Sequence, residues 1–329
     1  MPDHVRAVRR TLARVVDVDV ADVDWVGRVG GLRQWSSGTE RAPHKPLLLL
    51  YALGRFQAAP GSGLRYTDVE EDLAGLLREY GPPRRTSPGY PFHHLVNDGV
   101  WEVRTDSGPD SPGPGVGRLR ESGAVGRLVP ELRKALDTDP ALLSVLARTL
   151  LDLHFPPSLQ ADIAADAGLD LEAADLARMT GVSGGAADRT RVPAHRFVRD
   201  PGVARRLRAR VLAAYGNRCA FCGFDGALGR RPVGLEAAHV HWWAYDGPDE
   251  LSNALCLCSL HHKLFDKGVL GLDPGLRITV SARFSGAGAA ARAQVRELAG
   301  RPVAAPEEAG AAPVAAPYAR WHTTQVFRG

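Results

Sequence analysis

The chain has 329 residues, a net charge of +4 and 44% hydrophobic residues, enough for two domains of ordinary size and with no apolar run long enough to span a bilayer. All four cysteines lie between positions 219 and 258; with no signal peptide in evidence, a reducing, cytoplasmic setting is expected and a disulfide scaffold is disfavoured. No glycine loop for nucleotide phosphates occurs, which argues against ATP-driven translocation.

In chain order, Pro46 to Gln57 is an apolar helix, and Thr67-x-x-Glu70 forms a capping box that opens another, closed by Gly81-Pro82-Pro83. The run FHHLVNDGVWEV is expected to form two short strands around a turn at Asn97-Asp98-Gly99. Gly-Pro-rich residues 107–117 read as a loop, and Asp139-Pro140 begins a helix through Leu153 that ends at Pro156-Pro157. Helix, helix and hairpin suggest a mainly helical, winged-helix-like core. Residues 168–190, a short acidic helix followed by a Gly/Ser/Ala stretch, are the expected linker, which divides the chain into domains at 1–167 and 191–329.

Between Arg189 and Arg218 there are nine arginines against one acidic residue, Asp200. Asp200-Pro201 reads as a helix start, and Val203, Leu207, Val211 and Tyr215 recur every fourth residue as a buried stripe. Arg205, Arg206, Arg208 and Arg210 fall largely off that stripe. They make either a solvated face or a phosphate-binding face that favours DNA without reading its sequence.

The stretch from Cys219 to Gly268 carries the chemistry. Cys219-x-x-Cys222 and Cys258-x-x-His261 together supply three thiolates and one imidazole, a closed tetrahedral set suited to structural zinc. Alternation along Leu255-Cys256-Leu257-Cys258 is expected to bury Cys256 as a small apolar residue while Cys258 faces the metal. His239 ends the strand-like run from Val233 to His241, Asn253 follows the acidic turn Gly247-Pro248-Asp249-Glu250, and His262 lies on a short helix from Ser259 to Lys267 that stops at Gly268. His261 and His262 point about 100° apart on a helix, so one can hold zinc while the other faces a cleft. The Ala/Gly/Pro tract from Ser285 to Pro317 reads as a tether for a final strand or tail, Tyr318–Gly329.

Strand, loop and helix in this order, with these residues, resemble the ββα-metal nuclease domain of the HNH endonucleases. The resemblance implies His239 as general base, His262 as ligand of a catalytic divalent metal, Mg²⁺ or Mn²⁺, and Asn253 as the residue that orients the base or its loop. A histidine suits the base because its unperturbed pKa lies near neutrality. Many members carry an Asp just before the first His. Here that place is Ala238, which leaves Glu236, three residues before His239, as a substitute, and His241 as a weaker candidate for ligand or base. The alternative is a zinc fold that binds DNA without cutting it.

The strings APHKPLLLLYALGRF and SPGYPFHHLVNDGVWEV, followed by this nuclease motif, resemble the phosphorothioate-dependent restriction endonucleases, which join a sulfur-binding domain to an HNH domain. The resemblance implies an α+β chain that grips DNA bearing sulfur in place of a non-bridging phosphate oxygen. Tyr90 and Pro91 match the apolar sulfur pocket, and His93 and His94 follow them. His44 with Lys45, or Arg84 and Arg85, take the flanking backbone. Sulfur is more polarisable and less hydrated than oxygen, so a ring and a proline gain from covering it. From local sequence alone, Tyr90-Pro91 reads first as a strand-entry turn with a buried ring; the resemblance over the chain reverses that preference. The expectation is a modification-dependent restriction endonuclease acting on double-stranded, phosphorothioated DNA; a reader of a modified base such as methylcytosine is the competitor. One nuclease site per chain implies a homodimer or two successive binding events to cut both strands.

Overall fold

A computed structural model describes residues 23–33, 40–172 and 201–329. The N-terminal part holds α1 (Trp25–Gly30), α2 (His44–Ala58), β1 (Leu64–Arg65), α3 (Tyr66–Tyr80), α4 (Gly89–His94), β2 (Trp101–Thr105), β3 (Gly108–Pro109), α5 (Val116–Glu121), β4 (Val125–Leu128), α6 (Pro130–Thr138), α7 (Ala141–His154) and α8 (Pro157–Asp166). Helix α2 is apolar on all sides because it is the central element: every residue from Leu47 to Leu53 is buried, and it packs on α3, α4 and α7. The strands form one small antiparallel sheet in the order β1-β4-β2-β3. Trp101 lies across it, its Nε1 donating to Phe92 O at 3.0 Å. Gly126 on β4 must stay small, since a Cβ there would fall 2.1 Å from Trp101 Cζ2.

The C-terminal part holds α9 (Pro201–Ala214), β5 (Ala227–Leu228), β6 (Arg231–Pro232), β7 (Leu235–His239), β8 (Ala254–Cys258), α10 (Ser259–Asp266), β9 (Leu270–Leu272), β10 (Ile278–Val280), α11 (Ala289–Gln294) and α12 (Ala316–Gln325). Strands β7 and β8 pair antiparallel with Leu235 opposite Cys258 and His239 opposite Ala254, and α10 follows at once. This is a ββα unit. Gly268, at φ +72°, takes the left-handed turn just beyond α10. The whole is a mixed helix-and-sheet chain with small sheets only, and among the described residues no helix is long and apolar enough to cross a membrane.

Several expectations are corrected. Asn97-Asp98-Gly99 is not a hairpin turn: residues 89–98 are helical, and Gly99 at φ +67° ends a 3₁₀ turn ahead of β2. Asp98 is drawn inward, where it accepts from Lys45 Nζ at 2.6 Å and from Arg33 N at 2.8 Å. Thr67 and Glu70 form no capping box, because α3 already begins at Tyr66 with Arg65 at its N-cap, and Glu70 is taken by Arg120 at 2.7 Å. The 107–117 stretch contains β3 and the start of α5 rather than loop alone. The final Tyr318–Gly329 segment is mostly helix α12, whose Ala319, His322 and Gln325 are buried at helical spacing. Leu169 and Leu171 pack on the N-terminal core, so the first residues of the expected linker belong to that domain. Arg189, the Asp200 helix cap and residues 173–200 lie outside the described residues.

The two parts share a buried seam. Trp242, Trp321 and Val326 join the hydrophobic cluster of the N-terminal part. Arg41, 2% exposed, lies at its centre. Its Nη2 donates to Tyr80 O at 2.7 Å and its Nη1 to Gln325 O at 2.9 Å, while the guanidinium sits 4.0 Å from the Trp242 ring centroid. Burial lowers its pKa to about 10, still far above neutrality, so it stays cationic. Arg41→Ala leaves two buried acceptors unpaired, each worth about 1–3 kcal/mol. The expected loss is therefore about 2–6 kcal/mol in urea denaturation, and a loss below about 0.5 kcal/mol would show that the seam does not depend on it.

Candidate nuclease centre and metal sites

The turn carrying Cys219 and Cys222 is tied back on itself by Gly223 N donating to Cys219 O at 2.8 Å, and to β8 by Ala220 N donating to Cys256 O at 2.7 Å. This brings Cys219, Cys222, Cys258 and His261 together with their ligand atoms all within 4.8 Å of one another. His261 Nε2 donates to Gln294 O at 2.8 Å, so Nδ1 keeps its lone pair, and Nδ1 is the nitrogen that faces the sulfurs, 3.1 Å from Cys258 Sγ and 3.6 Å from Cys219 Sγ. An outer hydrogen bond that fixes the tautomer in this way is what a ligating imidazole needs. The donor set fits a structural zinc. Cys256 is fully buried outside the set. The alternation argument for it fails, since residues two apart in a strand share a face; Cys258 escapes that face because the strand ends there and α10 begins.

The adjacent histidine turns the other way. His262, with Glu236 and His239 of β7 and Asp266 of α10, lines a cleft of about 310 Å³ floored by Trp242 and Trp243. The opposite wall comes from the N-terminal part, through Phe155, Pro157, Ser158 and Gln160. His262 is held between two carboxylates: Nδ1 donates to Glu236 Oε2 at 2.6 Å and Nε2 lies 3.1 Å from Asp266 Oδ2. Burial opposes a charge on this ring, but Asp266 and Glu236 outweigh it and raise its pKa to about 10. The bond from His262, with one from Ser259, holds Glu236 down at about 2. Glu236, held ionised by these bonds, and the His262 ring offer a carboxylate oxygen and a ring nitrogen of the kind a divalent cation takes by displacing the shared proton.

His239 Nε2 donates to Asp249 Oδ1 at 2.8 Å, so in the neutral tautomer this bond selects, Nδ1 carries the lone pair. Asn253 is fully buried and stitches the intervening loop: its Nδ2 donates to His241 O at 2.9 Å and Pro248 O at 3.0 Å, and its Oδ1 accepts from His241 N at 2.8 Å. It therefore acts on the loop that carries Asp249. His241 leaves the strand and stacks on Trp321, ring centroids 4.2 Å apart, away from the cleft. Sequence reasoning missed Asp249, visible only as part of an acidic turn, and Asp266, whose signal was its i+4 spacing from His262.

Of the DNA-facing candidates, Tyr90 is 39% exposed and leans on His94 with centroids 4.2 Å apart. His93 packs on His94 at 4.6 Å, and burial lowers the pKa of both histidines, so they form a neutral ring platform. Pro91 is buried beneath it. His44 and Lys45 are largely interior rather than displayed: His44 Nε2 lies 3.0 Å from Thr86 Oγ1, and burial, then Arg84 and Arg41, lowers its pKa to about 4, while Lys45 is paired with Asp98. Arg84 bonds Glu40 and Arg41 O, and Arg85 is exposed. Arg205, Arg206, Arg208 and Arg210 are exposed on α9, with Arg208 Nη2 also donating to Leu235 O at 2.9 Å.

Residues 23–172 match the family described as ScoMcrA-like, DNA sulfur-binding domain, and residues 219–273 match HNH endonuclease. Among solved structures, the sulfur-binding domain of SprMcrA complexed with phosphorothioated DNA is 26% identical over 46% of this chain and 96% of its own, with a TM-score of 0.39. The corresponding domain of ScoMcrA is 24% identical over 44% of this chain and 98% of its own, at 0.38. The Type IV phosphorothioation-dependent restriction endonuclease ScoMcrA is 22% identical over 43% of this chain and 27% of its own, at 0.33. No curated protein matches the chain. The chain carries an HNH endonuclease domain, which marks it as a DNA endonuclease, together with a ScoMcrA-like DNA sulfur-binding domain.

Proposed function

We propose that the protein is a phosphorothioate-dependent restriction endonuclease: its N-terminal part, through Leu171, recognises phosphorothioated DNA, and its C-terminal part, which carries the HNH match, hydrolyses phosphodiester bonds nearby. The observation that supports it most is the single cleft on which His239, Glu236 and His262 converge, in a chain that also matches a sulfur-binding domain. A divalent cation, Mg²⁺ or Mn²⁺, held by Glu236 and His262, would supply charge neutralisation at the phosphate and the leaving oxygen. His239, oriented by Asp249, takes the proton of the attacking water, and Asn253 fixes the loop that orients Asp249. The Tyr90–His94 platform covers sulfur, which gains from contact with ring faces where a hydrated oxygen would lose. Arg205, Arg206, Arg208 and Arg210 bind phosphates, and zinc on Cys219, Cys222, Cys258 and His261 holds the ββα unit. A second copy or a second binding event provides the cut on the other strand.

The test uses two duplexes of one sequence that differ only in a single stereodefined phosphorothioate, assayed for binding and cleavage with Mn²⁺. The sulfur-bearing duplex is expected to bind tighter and be cut selectively. Tyr90→Ala is expected to cut that preference by about tenfold, equivalent to roughly 1.4 kcal/mol. Equal treatment of both duplexes would end the sulfur-reading role, and cleavage of methylated DNA instead would favour a base reader.

A further inference from the structure

The nuclease cleft is walled on one side by the sulfur-binding part, and one residue of that wall is wired into the chemistry. Asp266 of α10 is 1% exposed through its side chain, so its carboxylate depends on protein donors. Trp242 Nε1 donates to Oδ1 at 3.0 Å. Oδ2 accepts from Ser158 Oγ, at the start of α8, and faces His262 Nε2 at 3.1 Å. Glu236, on the other face of the same imidazole, is 42% exposed. With the Asp266 oxygens filled, Nδ1 on the Glu236 side is the nitrogen left to a cation, and Nε2–H···Asp266 is the bond that fixes the ring. Ser158 is itself held rigidly: Phe155 is buried, Pro156 and Pro157 fix the approach to α8, and Leu159 N closes the first turn on Pro156 O at 3.0 Å.

We propose that Ser158, contributed by the sulfur-binding domain, is a positioning residue of the nuclease site that acts through Asp266 on the metal-facing geometry of His262. The nuclease site is then complete only while the two domains are docked. This rests on the reading of Glu236 and His262 as metal-holding residues.

One turn along the same face of α8, Asp162 docks on Lys263 at 2.7 Å and Lys267 at 3.3 Å, without touching the cleft lining. It provides the control that separates positioning from docking. Zinc-loaded full-length protein would be titrated with Mn²⁺, with bound metal followed by water proton relaxation, and kcat and KM measured on phosphorothioated duplex. Loss of an outer partner typically weakens metal binding about 10–100-fold; Asp266→Asn is expected within that range. Ser158→Ala is expected at about tenfold, with kcat falling and KM for DNA unchanged, and Ser158→Thr, which keeps the hydroxyl, restores both. Asp162→Ala should stay within about twofold of wild type, since its partly exposed pairs with Lys263 and Lys267 lie outside the cleft lining. Ser158→Ala with wild-type metal affinity, or Asp162→Ala matching it, overturns the positioning role while leaving the nuclease reading intact. Wild-type protein that binds no Mn²⁺ at this site overturns both.

Discussion

His239→Ala is expected to lower cleavage of phosphorothioated duplex by about 10²–10⁴-fold, the range lost with a general base, while binding of the same duplex is unchanged. The residue lines the cleft rather than the DNA-facing platform, so the effect should fall on kcat and not on affinity. Asp249→Asn should give a smaller loss in the same direction. An amide can donate to Nε2 as well as accept from it, so the tautomer that leaves Nδ1 free is no longer enforced. His241→Ala should behave differently, because His241 is buried against Trp321. Its loss empties part of the domain seam and should lower stability with catalysis per folded molecule retained. Single-turnover rates on saturating DNA, with binding measured in the absence of divalent metal, separate these outcomes. If His239→Ala cuts at the wild-type rate with both Mg²⁺ and Mn²⁺, the base lies elsewhere.

What could be read from the residues divides along sequence distance. The cysteine and histidine knuckles, the His261/His262 division and the end of α10 at Gly268 are written within a few positions, where residue type and helical geometry leave little choice. The supports of the site are not. Ser158 reaches Asp266 across 108 positions, and Arg41 reaches Gln325 across 284; no local pattern marks such pairs, which arise only when two domains close on one another. Local signals also misled where they fit more than one conformation. Asn97-Asp98-Gly99 suits a hairpin turn, but its one required feature, a left-handed glycine, serves as well to end a 3₁₀ turn, and the pull of Lys45 on Asp98 decides the matter. Trp321 to Phe327 is rich in aromatic and β-branched residues, yet burial of Ala319, His322 and Gln325 on one face makes it helical as far as Gln325.

Removing the zinc should do more damage than any single substitution in the cleft. The closed Cys₃His set is expected to hold one zinc per chain, measurable by elemental analysis, and Cys258→Ser is expected to lose it. In small peptides a structural zinc supplies roughly 10–16 kcal/mol of apparent binding free energy at neutral pH, which matches or exceeds the roughly 5–15 kcal/mol that keeps a whole domain folded. The short strands β7 and β8 and the eight-residue α10, little more than two turns long, cannot replace that with buried surface, so the nuclease part should unfold. Cys258 is also the hinge between β8 and α10, and α10 carries His262, so loss of zinc is expected to take the proposed cation site of Glu236 and His262 with it. Mild chelation should be different: a chelator too weak to strip the thiolate site removes only the catalytic cation, and added Mn²⁺ restores cutting without refolding. The N-terminal part has its own core from Trp25 to Leu171, so Cys258→Ser is expected to keep preferential binding of phosphorothioated DNA while losing cleavage under every metal condition. A Cys258→Ser protein that melts at the wild-type temperature would mean that packing, and not zinc, holds the ββα unit.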